Sequence, residues 1–188
     1  WKPDEKNSFS LNIYQGDDYL NYWSRNNANS TEKYRLYNVW GNWLVSARLN
    51  TFISSKLYAS NKISITRYML KESMKYSLIS SADTSKLKIM YLSSVQDLSY
   101  RSDWKYNVYK NWAIDFGLHT SLFRFAPNDS YISTNSVQQS SDISNSLETA
   151  LYTDNKITFL NNSLAILGLR LVNYSTTDYM RFSLEPRI

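Results

Sequence analysis

The sequence predicts an all-β chain built as an antiparallel transmembrane β-barrel wall of about eight strands, and three observations predict it. Apolar and polar residues alternate with a period of two in segment after segment, which puts each set on its own face of a strand. Long polar segments take turns with short ones between those stretches, as extracellular loops and periplasmic turns do in outer-membrane barrels. The chain has 188 residues, 15% of them aromatic, with 16 Tyr, 6 Trp, no Cys and a mean hydropathy of −0.48. No run of roughly 18 apolar residues occurs, so helical spans are excluded, whereas a spanning strand needs only about 9–11 residues, half of them polar.

The first strand is expected near Ser8 to Gln15, with Phe9, Leu11 and Ile13 on one face. The second runs near Tyr34 to Thr51, where Tyr37, Val39, Trp43, Val45, Ala47 and Leu49 oppose Asn38, Asn42, Ser46, Arg48 and Asn50. A third covers Leu57 to Lys71, with Leu57, Ala59, Ile63, Ile65 and Met69 on a parity that Asn61 and Arg67 interrupt. In the fourth, Ser94 to Val108, the residues Leu98, Tyr100, Trp104 and Tyr106 alternate with Asp97, Arg101, Asp103 and Lys105. The fifth, Trp112 to Phe125, sets Ile114, Phe116, Leu118 and Leu122 against Asp115, Gly117, His119 and Ser121. A sixth, Ser146 to Phe159, alternates too poorly for its faces to be assigned.

The last two strands form a pair. Ala165, Leu167, Leu169 and Leu171 share one parity, and in Tyr179 to Ile188 Met180, Phe182, Leu184 and Ile188 oppose Arg181, Ser183, Glu185 and Arg187. The long connections are expected at Asp17 to Lys33, Ser73 to Lys86 and Ala126 to Asn145, the short ones at Phe52 to Lys56, Tyr109 to Asn111 and Leu160 to Asn162. Phe52, Tyr58, Tyr106, Tyr109 and Trp112 flank short turns, where interfacial aromatic girdles belong.

Little in the chain suggests bond chemistry. His119 is the only histidine, and although a Ser, His, Asp set can be drawn around it with Asp115, no Gly-x-Ser-x-Gly elbow accompanies it. The absence of Cys removes thiolate metal sites and thiol nucleophiles. No catalytic activity, cofactor or metal is expected. The net charge is +5, yet Lys and Arg stand singly among acids, so no basic stripe and no nucleic-acid partner are expected.

Two sets of residues are candidates for function. Arg101, Asp103, Asp115, His119, Arg170, Arg181, Glu185 and Arg187 lie on polar parities and would face a barrel lumen, either lining a transport path and touching a plug or simply pairing with water and one another. Tyr19, Tyr22 and Trp23, in the first long polar segment, are candidate loop contacts for a ligand, since exposed rings bury large area with few rotamers. Packing on neighbouring loops is the competing role for these rings.

Gly168-Leu169-Arg170, followed closely by Leu184-Glu185-Pro186-Arg187, resembles a strand pair of the TonB-dependent outer-membrane receptors. Trp40-Gly41-Asn42, Ser64-Ile65-Thr66-Arg67-Tyr68 and Tyr14-Gln15-Gly16-Asp17-Asp18 are similar to the branch of that family with a carboxypeptidase-regulatory-like N-terminal domain. The resemblance implies a Gram-negative outer-membrane barrel of about 22 strands closed by a plug. It implies nutrient uptake driven from the inner membrane, and as partners outer-membrane lipid, the plug of the same protein, TonB and a surface lipoprotein. Residues 1–188 are then expected to be part of the barrel domain, without plug or signal peptide. Two alternatives stay open: a complete eight-stranded barrel acting as anchor or adhesin, and a soluble β-sandwich that binds carbohydrate through loop aromatics.

Overall fold

Alternation of this kind, repeated between turns, folds as a meander, and the computed structural model is one antiparallel sheet described over residues 1–27, 31–79, 84–132, 137–139, 143–159 and 163–188. Its strands are β1 (Asn7–Asn26), β2 (Thr31–Phe52), β3 (Leu57–Ile79), β4 (Thr84–Tyr109), β5 (Trp112–Ile132), β6 (Val137–Gln139), β7 (Ser144–Phe159), β8 (Ser163–Thr176) and β9 (Met180–Arg187). They pair in the order β1-β2-β3-β4-β5-β7-β8-β9, with the short β6 on β5 at Ser130–Ile132. Among the described residues β1 pairs only with β2 and β9 only with β8, so the sheet has two edges.

The sheet has a single layer. A compact 22.0 kDa monomer exposes roughly 9,300 Å², whereas this chain exposes 13517 Å². Among the described residues the only buried apolar side chains are Ala59 at 2% and Ala150 at 1% exposure. Large apolar residues such as Ile13 (72%) and Phe182 (64%) are open instead.

The register fixes both faces, because residues directly opposite in neighbouring strands share one. Ile13, Val45, Ile65, Leu98, Leu122, Leu147 and Met180 fall in one cross-strand row, broken only by Ser175 on β8. From that row to the short turn before Trp112, no charged residue stands on this face, termed here the Leu122 face. The opposite, His119 face carries Arg48, Lys62, Arg101, Asp103, Asp115, Asp154, Lys156, Arg170, Glu185 and Arg187 over the same span. β7 is assigned with the rest, Leu147, Leu151 and Ile157 lying on the Leu122 face and Glu148, Tyr152, Asp154 and Lys156 opposite.

Beyond the Ile13 row the polarity of the two faces inverts. Tyr22, Leu36, Met74 and Ile89 form a row on the His119 face, with Trp40 and Leu70 in a row nearer the centre. The Leu122 face there bears Arg67 and Arg124, then Lys71, then Arg35, Lys75 and Lys88, and last Arg25, Lys33 and Lys86. Registers of β1 to β3 run without a bulge, so the change lies in the residues and not in a slip of pairing.

This inversion corrects the expected loops. Asp17 to Lys33 and Ser73 to Lys86 are mostly strand, since β1 continues to Asn26, β2 starts at Thr31, β3 continues to Ile79 and β4 starts at Thr84. Ala126 to Asn145 likewise holds the end of β5 and all of β6. The ladder persists because backbone pairing does not depend on which face is oily, whereas the period-two count does. Short connections after Phe52 and Tyr109 are as expected; residues 160–162 lie outside the described set. Ser54 closes the first of them, its Oγ accepting from the Lys56 and Leu57 N–H groups at 3.2 and 3.1 Å.

Before β1, Asp4 organises a turn. Its Oδ1 accepts from the Lys6 N–H at 2.8 Å and the Asn7 N–H at 2.7 Å, and Asn7 Nδ2 donates to Oδ2 at 2.8 Å. The Asn7 side chain, then the Lys6 amide, hold the Asp4 carboxyl below its ordinary pKa. A depressed folded-state pKa stabilises the turn above the unfolded value, and this is lost as pH falls through the folded value. Acid titration followed at the Lys6 and Asn7 amide resonances is expected to open the turn only below the usual carboxylate range. Asp4→Ala is expected to open it at neutral pH, with no difference from the native chain once both are acidified.

Candidate functional site

The His119 face of β4 to β9 gathers most of the charged residues marked by the sequence. Arg101 Nε donates to both Asp103 oxygens at 2.9 and 2.8 Å. Lys156 pairs with Asp115 Oδ2 at 2.5 Å, and Arg187 with Asp154 Oδ2 at 3.2 Å. Arg170 sits between two acids, 3.4 Å from Glu148 and 3.7 Å from Glu185. Arg101, Asp115, Asp154, Arg170 and Arg187 line a cavity of about 330 Å³ together with His119, Ala150 and Tyr152.

Two glycines make the network possible. Gly117 of β5 stands opposite both Asp103 of β4 and Tyr152 of β7. Without a Cβ there, the Tyr152 ring lies across β5 and its hydroxyl donates to Asp103 Oδ1 at 2.5 Å. Gly168 of β8 stands in the same way between Asp154 and Arg187, and the Asp154 carboxylate lies over it to reach Arg187. In each case the glycine lets a side chain reach across a strand to the next but one.

Asp115 and Asp154 are direct cross-strand partners, an arrangement that costs stability for like charges. Lys156 and Arg187 each neutralise one oxygen of the pair, while Oδ1 of both is buried with no hydrogen-bond partner. No group of His, Cys, Asp and Glu among the described residues could hold a metal ion.

The Ser, His, Asp set takes a different form from the one drawn on the sequence. His119 Nε2 lies 3.3 Å from Ser121 Oγ, and among the described residues Asp115 bonds Lys156 instead of joining them. Ser121 is 3% exposed, so its hydroxyl is closed to a substrate. The arrangement can line a wet surface and hold polar solute or side chains against it.

Arg101, Asp103, Asp115, His119, Arg170, Glu185 and Arg187 thus come together, and Arg181 does not. It stands two rows from Glu185 on β9, opposite Tyr174, with no ion pair among the described residues. The apolar pattern of β7 does not reveal Glu148, Tyr152, Asp154 and Lys156, because Thr149, Thr153 and Asn155 dilute it. Its charges all share the even parity, a signal that would have assigned the strand.

Tyr19, Tyr22 and Trp23 lie on β1 and not on a loop. Tyr19 and Trp23 are on the Leu122 face, while Tyr22 is on the other, tilted against Tyr34 at 6.2 Å. They therefore form no common patch.

The two halves of the Gly-Leu-Arg and Glu-Pro-Arg signature meet residue for residue: Gly168 faces Arg187, Leu169 faces Pro186, and Arg170 faces Glu185. No family model, curated protein or solved structure matches the chain.

Proposed function

We propose that the chain is wall of a Gram-negative outer-membrane receptor barrel for nutrient uptake, with lipid against the Leu122 face and the His119 face toward the lumen. The observation that carries the membrane placement is the charge-free, open Leu122 face. It runs from Trp112 to Leu122 on β5 and from Leu57 to Ile65 on β3, the roughly 9–11 residues a tilted spanning strand requires. In water that surface would be a large aggregation-prone patch. In hydrocarbon it is the required side.

The edges of β1 and β9 favour a larger barrel over a closed eight-stranded one. Each unpaired backbone group costs several kcal/mol in hydrocarbon, so both edges need further strands. Uptake, the plug, TonB and a surface lipoprotein rest on the resemblance carried by the Gly168 and Glu185 segments. The charged cavity beside β4 to β9 is compatible with a wet lumen wall.

Nitroxide labels placed singly at positions 118 to 122 in phospholipid vesicles test the placement. Labels at 118, 120 and 122 are expected to be relaxed by lipid-soluble oxygen, and those at 119 and 121 by a water-soluble nickel chelate. Equal accessibility on both parities sinks the reading.

A further inference from the structure

Past the charge-free span, the Leu122 face of β1 to β4 becomes a ladder of cations. Trp23, Arg35, Lys75 and Lys88 stand in one cross-strand row, and Arg25, Lys33, Ser77 and Lys86 in the next. The linear sequence hides this, because Glu32 and Glu72 interleave in the chain but point to the other face. Of the carboxylates on these four strands only Asp17 shares the face with the cations. The expectation that no basic stripe forms is therefore corrected by the register.

Like charges directly opposite in a ladder repel, so Arg35 opposite Lys75, and Arg25 opposite Lys33, call for an external counter-charge. Arg35 donates to Asn21 Oδ1 at 3.2 Å and lies 5.9 Å from the Tyr37 ring centre, neither of which supplies one. Among the described residues no carboxylate is in ion-pair distance of Arg35, Lys75 or Lys33. Two shallow cavities open between the cations, about 270 Å³ beside Trp23, Lys33 and Arg35 and about 230 Å³ beside Arg35, Tyr37 and Lys75.

Height selects the ligand. Arg35 is ten positions beyond Val45, roughly 33 Å along the strand at ~3.3 Å per residue, or about 25 Å above the hydrocarbon for a tilt of roughly 40°. Phospholipid head groups extend only about 5–8 Å beyond the hydrocarbon. Arg67 and Arg124, in the first row past Val45, are at head-group height. The ladder rises away from the membrane on its outward side, where a lipid-borne anionic saccharide would stand.

We propose that this face binds a phosphorylated glycolipid of the surrounding leaflet, with Arg67 and Arg124 at its lipid-proximal phosphates and Arg35, Lys75 and Lys33 at acidic groups further along its saccharide. The proposal rests on the membrane-wall reading above. The rings of Trp23 and Tyr37 lie beside the same cavities and offer flat surfaces to sugar rings.

The test uses the full chain in phosphatidylcholine bicelles containing lipopolysaccharide with its phosphorylated core, lipid A alone, or neither, with bound glycolipid read by native mass spectrometry. R35Q/K75Q/K33Q is expected to weaken binding of the core-bearing lipid about a hundred-fold at low salt, at roughly fivefold per cation, while leaving lipid A unchanged. R67Q/R124Q is expected to weaken both. R48Q/K62Q, on the other face, is the control and should change neither.

Wild-type affinity in the first triple variant overturns the proposal, as does equal competition by inorganic phosphate or by a DNA oligonucleotide. Failure to insert in any bicelle overturns the membrane reading and the proposal together. Normal insertion with no effect of the triple variant overturns the proposal alone.

Discussion

Leu151→Arg is expected to destabilise the chain in a bilayer by about 2–4 kcal/mol, and Leu147→Arg by only ~0–1 kcal/mol. Both residues are on β7 and on the Leu122 face, and their exposures, 53% and 40%, are similar. On the proposed reading they differ in depth. Leu151 shares a row with Leu118 and Leu171 near the middle of the charge-free span, and Leu147 lies in its last row, beside Leu122. A guanidinium at Leu147 reaches head groups by extending its stem, whereas one at Leu151 does so only by drawing in water or thinning the lipid. Denaturant unfolding in vesicles measures the difference. If the face met water, both changes would stay within about 0.5 kcal/mol, as exposed substitutions usually do, and equal small costs would remove the lipid from this face.

Gly117→Val is expected to cost about 2–4 kcal/mol, by overpacking and by loss of a hydrogen bond to a charged acceptor. A Cβ at this position would come within 2.7 and 2.9 Å of the Tyr152 ring and would also press on the Ser102 carbonyl of the neighbouring strand. The ring must leave, and its hydroxyl then leaves Asp103, whose remaining partner is Arg101. Tyr152→Phe keeps the ring over the glycine and removes only the hydroxyl, so it should cost less than the valine. A double-mutant cycle of Gly117→Ala with Tyr152→Ala is expected to show a coupling of roughly 0.5–3 kcal/mol. Strict additivity would mean that the glycine is not what admits the ring.

Much of the sheet was legible because one face of each strand is uniformly apolar over the span beside Leu122. In β4 and β5 the parities of Leu98 to Tyr106 and of Trp112 to Leu122 are as expected, as is the placement of Arg101, Asp103, Asp115 and His119 on one face. Legibility fails where both faces are mixed. On β7, threonines and Asn155 replace oily residues, and beyond Ile13 the two faces exchange character, so strand there reads as loop. Tyr152 reaching Asp103 across Gly117 depends on the register of three strands at once, which no single segment encodes. The cation ladder is similar, since Arg35, Lys75 and Lys88 become neighbours only when β2, β3 and β4 are aligned.

The exchange of character along the strands has a mechanical consequence. On the proposed reading, a shift of the sheet toward the membrane draws Arg67 and Arg124 into hydrocarbon, then Asp17 and Lys71. A shift outward lifts Tyr109 and Trp112, stacked at 6.3 Å, from the opposite boundary. Both slides are uphill, so the sheet keeps one vertical position. A bilayer thicker or thinner than the charge-free span must then adjust its own lipids, at fractions of a kcal/mol per Å of mismatch, and the burden of mismatch falls on the membrane.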